Sequence, residues 1–303
     1  MNEIKKEELY DLLASLIRIP SPYFEEEKIM EYAFEWLRDR NVPAQIHRYH
    51  EKEITDFKGM NVIGEIDSKK EGPVISFNGH LDSVRLCSGW TVPPYDAMIK
   101  DGNMYGLGAL DMKSGCAVIM QVLAEFVKNI SDFRGKIVYH LVSDEEGPFG
   151  LGTTYLINDR KIEEADLAII TEPSAGFAGV ESPSLSLGAR GGYNYKVKIY
   201  GKSSHAAAPE LGVNALLDAA KLSCELEKTD MKKDDRLTRG SHCLISMSGG
   251  GQACSVPDYA EIEIFRHTVR GENIETIKDE IKRAAERAEL SSRFEIELRS
   301  SPA

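Results

Sequence analysis

Histidine and carboxylate side chains close three separate apolar stretches and stand in one Gly-rich turn. "VISFNGHLD" runs into His80 and Asp82, and "GLGALDMKSG" carries Asp111. "KIVYHLVSDEE" closes on Asp144, Glu145 and Glu146, and "ADLAIITEP" ends at Glu172. One imidazole among several carboxylates is a ligand set for borderline and hard divalent cations. Adjacent carboxylates repel, and such a cluster costs more at the mouth of a buried strand than on a solvated helix. Cations at that rim would make the neighbouring acids tolerable. Each residue also has a plainer reading. His80 and Glu172 could simply end strands, Asp111 could cap a helix, and Glu145 and Glu146 could form a solvated turn. The convergence of four segments favours the metal site. Asp82, two residues beyond His80, can fix the imidazole tautomer.

Such residues need a scaffold that gathers strand ends. Residues 3–18 and 25–40 have amphipathic helical patterns, with Pro20 and Pro22 between them. "AQIHRYH", "MNVIGEI" and "GPVISFNGHLD" predict strands, "GCAVIMQVLAEFVKN" a long apolar helix and "GKIVYHLVSDEE" another strand. "GTTYLIND" predicts a short helix and "ADLAIITEPS" a further strand. This alternation predicts an α/β catalytic domain with a mostly parallel sheet flanked by helices. In such sheets ligands gather outside the carboxyl ends of the strands.

The motifs "GHLDSV", "YGLGALDMKSG", "SDEEGPFG", "TEPS" and "GKSSHAAAPELGVNAL", in this order, resemble the two-zinc aminoacylase superfamily. That superfamily includes carboxypeptidase G, acetylornithine deacetylase and succinyl-diaminopimelate desuccinylase, metallopeptidases and amidohydrolases of amino-acid metabolism. The resemblance implies two zinc ions, with cobalt or manganese as substitutes. It implies that His80 and Glu172 bind one ion, Glu146 the other, and that Asp111 bridges both. It makes Glu145 the general base and Asp82 the support of the His80 ring. It also implies a cis Asp111–Met112 peptide. The reaction implied is hydrolysis of an amide bond in a small N-acyl amino acid or peptide, by a metal-activated water whose proton Glu145 takes. A dipeptidase or carbamoyl-amide hydrolase of the same fold is the nearest alternative. A non-catalytic metal-binding or dimerisation relative is the alternative from another class.

Residues 1–188 are thus expected to form the zinc-binding domain and 189–303 a second one. From Ala189 onward, "NYKVKIYG", "GVNALLDAAKLSCELE", "HCLISMSG", "DYAEIEIFR", "NIETIKDEIKRAAERAEL" and "RFEIELRS" follow the β-α-β-β-α-β order of a ferredoxin-like α+β domain. The resemblance makes this an inserted lid that also forms a homodimer, with His205 of "SSHAAAP" donating to the oxyanion. Three departures stand out. The resemblance implies a segment that returns to the catalytic domain with a late histidine ligand, and no motif up to Ala303 supplies one. His47, His50, His140, His242 and His267 match no motif and are expected to be structural or on the surface. "IFRHTVRG" puts Phe265 and His267 where many relatives have an acid and a carboxylate-gripping arginine, leaving Arg266 as the candidate grip on substrate. "GGGQACSVPD" has Cys254 where many have a pocket-lining asparagine.

The bulk properties fit a small-molecule enzyme. A net charge of −12 and a pI near 5.2 argue against nucleic acid or an anionic membrane as partner. No apolar run reaches membrane-spanning length, and the charged start "MNEIKKEELYDLLASLIRIP" does not read as a signal peptide. Five cysteines without a C-x-x-C pair fit free thiols in a reducing cytoplasm.

Overall fold

The computed structural model describes residues 4–174, 184–186 and 188–299. The outermost residues of the first and last expected elements lie outside them. The chain divides into two units between Leu185 and Ser186.

The first unit contains α1 (Lys6–Ile17), α2 (Glu27–Arg38), β1 (Gln45–His50), β2 (Lys58–Asp67) and β3 (Val74–His80). The hairpin β4 (Met98–Lys100) and β5 (Asn103–Tyr105), α3 (Ser114–Asn129), β6 (Lys136–Val142), α4 (Leu151–Asn158) and β7 (Leu167–Ile170) follow. The five-stranded sheet has the order β1-β2-β6-β3-β7. β3 lies parallel to both β6 and β7, whereas β2 is antiparallel to β1 and β6. Every strand but β2 therefore points the same way, and the class is α/β with a mainly parallel sheet.

On β6, Val138 through Val142 are buried in succession. Alternate residues face opposite sides, so both faces of the sheet are covered there. Leu12 and Leu16 of α1, Ile29, Met30 and Leu37 of α2, and Met120 and Leu123 of α3 pack with Val62, Tyr139 and Leu141 of the sheet. Each such aliphatic side chain, fully buried, contributes roughly 1.5–3 kcal/mol. This core holds the carboxyl ends of β3 and β6 rigidly side by side.

The second unit contains β8 (Gly191–Tyr200), α5 (Ala215–Leu226), the short pair β9 (Lys233–Asp234) and β10 (Thr238–Arg239), β11 (Ser241–Gly249), β12 (Tyr259–Thr268), α6 (Ile274–Arg287) and β13 (Arg293–Leu298). Its antiparallel sheet has the order β11-β12-β8-β13. With α5 between β8 and β11 and α6 between β12 and β13, this is the ferredoxin-like arrangement. Val197 and Ile199 of β8, Ile262 and Ile264 of β12, Leu222 of α5 and Ile277 and Ile281 of α6 form its own core. Asn273 starts α6 through a capping box with Thr276.

The inward residues of β12 are Ala260, Ile262, Ile264, Arg266 and Thr268. Arg266 is therefore a core residue, which corrects its expected role as a grip on substrate. Its guanidinium is fully buried and pairs with Glu272 at 2.8 Å and Glu280 at 2.8 Å. Both donor edges are committed to this internal ion triad, so none is left for a ligand. The period-2 pattern puts Arg266 on the same face as the apolar residues before it.

Candidate metal centre

His80 is the last residue of β3 and is buried. Its Nδ1 lies 3.1 Å from the backbone oxygen of Asp82 and 3.4 Å from the Asp82 carboxylate. Those acceptors hold a proton on Nδ1 and turn Nε2 toward the rim. There Nε2 lies 3.2 Å from Asp111, 3.6 Å from Glu145 and 3.5 Å from Glu172. Asp82 is fully buried and does a second job, its Oδ2 accepting from the Glu146 amide at 2.9 Å.

Asp111 comes from the turn before α3, and its peptide bond to Met112 is cis. The turn starts at Gly108, whose φ of 74° favours glycine. Lys113, fully buried, donates from Nζ to the Leu16 and Ile19 carbonyls, each at 3.0 Å, and so ties this turn to the end of α1. Gly115 brings the fourth segment in. A Cβ there would sit 2.3 Å from the Thr171 carbonyl oxygen, so only glycine lets the chain before Glu172 lie against the first turn of α3.

The loop after β6 carries the remaining acids. Glu145 is exposed and Glu146 half-buried, whereas Asp144 is buried. The Asp144 carboxylate braces the loop from inside, accepting from the Leu151 amide at 3.0 Å. The Asp144 amide donates to Glu26, the residue before α2, at 2.9 Å.

One ligand atom from each of His80, Asp111 and Glu146 lies within 4.8 Å of the others, and so does one from each of His80, Glu145 and Glu172. These two groups share the imidazole. His80 and Glu172 fall together in one group and Asp111 and Glu146 in the other, with the imidazole common to both. The electrostatics are those of a site built for positive charge. Burial, then the charges of Asp111 and neighbouring acids, push Glu146 and Glu172 up to about 7 against the opposing pull of His80. Burial and the Asp82 and Asp111 charges also raise Glu145. Burial would lower the His80 pKa, but its bonds to Asp111 and Asp82 outweigh this and push it up to about 11. An imidazole and four carboxylates, several disfavoured as anions by one another, fit a pair of divalent cations in both donor type and charge.

In the second unit, His205 pairs backbone to backbone with Ser255, and the Ala206 amide donates to the Cys254 carbonyl at 2.8 Å. The His205 and Cys254 loops are therefore neighbours. Cys254 is exposed with φ 59°, a left-handed conformation that asparagine tolerates better than most residues. His205 Nδ1 accepts from the Ala207 amide, which leaves Nε2 without a partner among the described residues. Of the remaining histidines, His47 pairs with Asp159, His50 with Asp56 and His242 with Glu227, His140 is buried in β6, and His267 lies edge-on to Phe265. No helix of the described residues is long and apolar enough to cross a membrane.

Sequence reasoning missed Glu26 and Lys113. Lys113 sits two residues from Asp111 and could have been flagged as a lysine inside an apolar turn. Glu26 gave no signal, because its partner is distant in sequence.

A family model described as Peptidase family M20/M25/M40 matches residues 76–288. The chain is 37% identical over 173 residues to a succinyl-diaminopimelate desuccinylase of Vesicomyosocius okutanii subsp. Calyptogena okutanii, covering 54% of this chain and 44% of that protein. It is 27% identical over 293 residues to the same-named protein of Nautilia profundicola, covering 96% of this chain and 75% of that one. The chain thus spans less than half the length of the first of these relatives. Among solved structures, aminopeptidase PepT from Bacillus cereus superposes with a TM-score of 0.61 at 24% identity, over 98% of this chain and 76% of that one. Human carnosine dipeptidase 1 superposes with a TM-score of 0.71 at 15% identity, over 96% of this chain and 77% of that one. At these identities the likeness is one of fold.

Proposed function

The chain belongs to peptidase family M20/M25/M40, and on that premise we propose that it is a metal-dependent hydrolase of an amide bond in a small N-acyl amino acid or peptide. The observation that carries this reading is the meeting of His80, Asp111, Glu145, Glu146 and Glu172 from four segments at one sheet rim. His80, Asp111, Glu146 and Glu172 would hold two zinc ions, with cobalt or manganese as substitutes. Such ions, when bound, polarise a substrate carbonyl and acidify a water.

The chain's own residues do the rest. Asp82 keeps the proton of His80 on Nδ1 and so leaves Nε2 free as a ligand atom. It also fixes the Glu146 backbone. Glu145 is the most exposed acid of the cluster and alone has its backbone neighbours on both sides tied down by Glu26 and Asp82. Burial raises its pKa and so makes its carboxylate a stronger base, which suits a group that takes a proton from water and returns it to the leaving amine. His205 of the second unit is proposed as the donor to the oxyanion and Cys254, on the neighbouring loop, as a pocket residue. Succinylated amino acids are the first substrates to try, given the names of the relatives. Dipeptides and carbamoyl amides come next, and a cytoplasmic location agrees with the free thiols.

The test is hydrolysis of a panel of N-succinyl and N-acetyl amino acids and dipeptides by the full chain loaded with zinc or cobalt. Glu145→Gln should lose at least about 100-fold in kcat, within the range of general-base contributions, with metal content unchanged. Near wild-type turnover by that variant would remove Glu145 from the role.

We also propose a homodimer through the second unit. The edge strand β11 exposes Leu244, Ile245 and Met247 beside unpaired backbone, an arrangement prone to pairing. Sedimentation should give twice the chain mass for wild type and the chain mass for Ile245→Lys. A monomeric wild type would contradict it.

A further inference from the structure

The loop that carries Glu145 and Glu146 spans Ser143 to Gly152 and closes on itself through the Gly152 amide, which donates to the Ser143 carbonyl at 3.2 Å. A side chain from another strand bridges the same two residues. Asn61, fully buried in the middle of β2, accepts at Oδ1 from the Ser143 amide at 3.1 Å and from the Ser143 hydroxyl at 3.1 Å. Its Nδ2 donates to the Gly152 carbonyl at 3.0 Å. A backbone amide can only donate and a carbonyl can only accept, so the orientation of this side chain is fixed by its partners. Nδ2 therefore also donates to His47 Nδ1, at 3.2 Å. That leaves His47 Nε2 to donate to Asp159 at 2.7 Å. On the other side, Tyr49 meets the Ser143 hydroxyl at 2.9 Å. Every donor and acceptor of Asn61 is used, and none of its partners is a metal ligand.

We propose that Asn61 is a positioning residue that fixes the two ends of the Glu145–Glu146 loop and so sets where both carboxylates stand. This rests on the reading of Glu145 as base and Glu146 as ligand. Three buried side chains from three elements divide the work. Asn61 holds Ser143, Glu26 holds the Asp144 amide and Asp82 holds the Glu146 amide. Asn61 alone reaches across to the far end of the loop. Its place in the run "MNVIGEI" is the one sequence signal, a polar side chain among the buried residues Gly59 to Val62.

The test compares the metal-free full chain carrying Asn61→Ala with one carrying Val62→Ala, the next residue on β2 and equally buried. Val62→Ala lowers stability through the core and touches no loop bond. Hydrogen exchange is read at residues 143–152, and cobalt(II) affinity is read from its absorption on titration. Asn61→Ala is expected to speed exchange at Ser143 and at the Leu151–Gly152 end at least tenfold beyond Val62→Ala. It should weaken cobalt binding roughly 10–100-fold, the usual effect of losing an outer support of a metal site. If Asn61→Ala does not fold, Asn61→Asp keeps the acceptor for Ser143 and should speed exchange only at the Gly152 end. Equal loop exchange in Asn61→Ala and Val62→Ala overturns the proposal, and so does faster exchange with cobalt affinity equal to that of Val62→Ala. A wild type that takes up no cobalt contradicts the metal reading instead, and the exchange comparison still decides whether Asn61 holds the loop.

Discussion

Glu26 is an acid held among acids. Its Oε1 accepts from the amides of Phe24 and Asp144, whereas Oε2 is buried without a hydrogen-bond partner. Burial first, and then the Asp82 charge, push its pKa from 4.5 up to about 8. The folded protein thus keeps a proton on Glu26 that the unfolded chain releases above pH 4.5. That difference stabilises the fold fully below the unfolded pKa and is lost as pH rises through the folded one. Glu26→Gln keeps an oxygen acceptor for both amides and cannot ionise. It should remove roughly 1–3 kcal/mol of the stability that wild type loses between about pH 5 and pH 8. Denaturant melts across that range check this, and a parallel decline in both proteins would exclude Glu26 as the source. At this scale the sequence was informative where chemistry needs a particular residue type at a strand end. His80, Asp82, Asp111, Glu145, Glu146 and Glu172 announce themselves in that way. Asn61 and Lys113 show only as polar residues in apolar surroundings and Glu26 not at all, because their roles lie in partners that are 82, 97 and 118 residues away. Arg266 was legible in principle, since its parity on β12 matches Ile262 and Ile264.

Elements set the distances that residues exploit. The parallel trio β6-β3-β7 delivers three of the four acidic segments, and the turn before α3 delivers the fourth. Gly115 is the contact that couples the last two. Gly115→Ala would push a methyl group into the Thr171 carbonyl, and overpacking of this kind costs roughly 1–3 kcal/mol. It should also shift Glu172 away from Asp111 and weaken cation binding beyond what the stability loss explains. Thermal melts with and without zinc check this, and an undiminished zinc-induced rise in Tm would show that Glu172 has not moved. The strands of the two main sheets, the long helix and the β-α-β-β-α-β order were legible because period-2 and period-3.6 patterns are local, whereas the short pairs β4-β5 and β9-β10 were not. The pairing of β2 antiparallel to β6 was not, since register and neighbour order depend on contacts distant in sequence.

At the scale of the whole molecule, each unit has a hydrophobic core of its own. All the candidate ligands lie between His80 and Glu172, inside the first unit. Cation uptake should therefore be a property of that unit, while the proposed dimer belongs to the second. Asp111 is the residue on which the metal reading turns, since it faces His80 directly and is expected to serve both ions. The decisive measurement is calorimetric titration of zinc into the metal-free full chain, wild type against Asp111→Ala. Wild type should take up zinc saturably, and Asp111→Ala should lose more than the roughly 10–100-fold that removal of an outer support costs. No uptake by wild type, or equal affinity in the two proteins, would contradict the account.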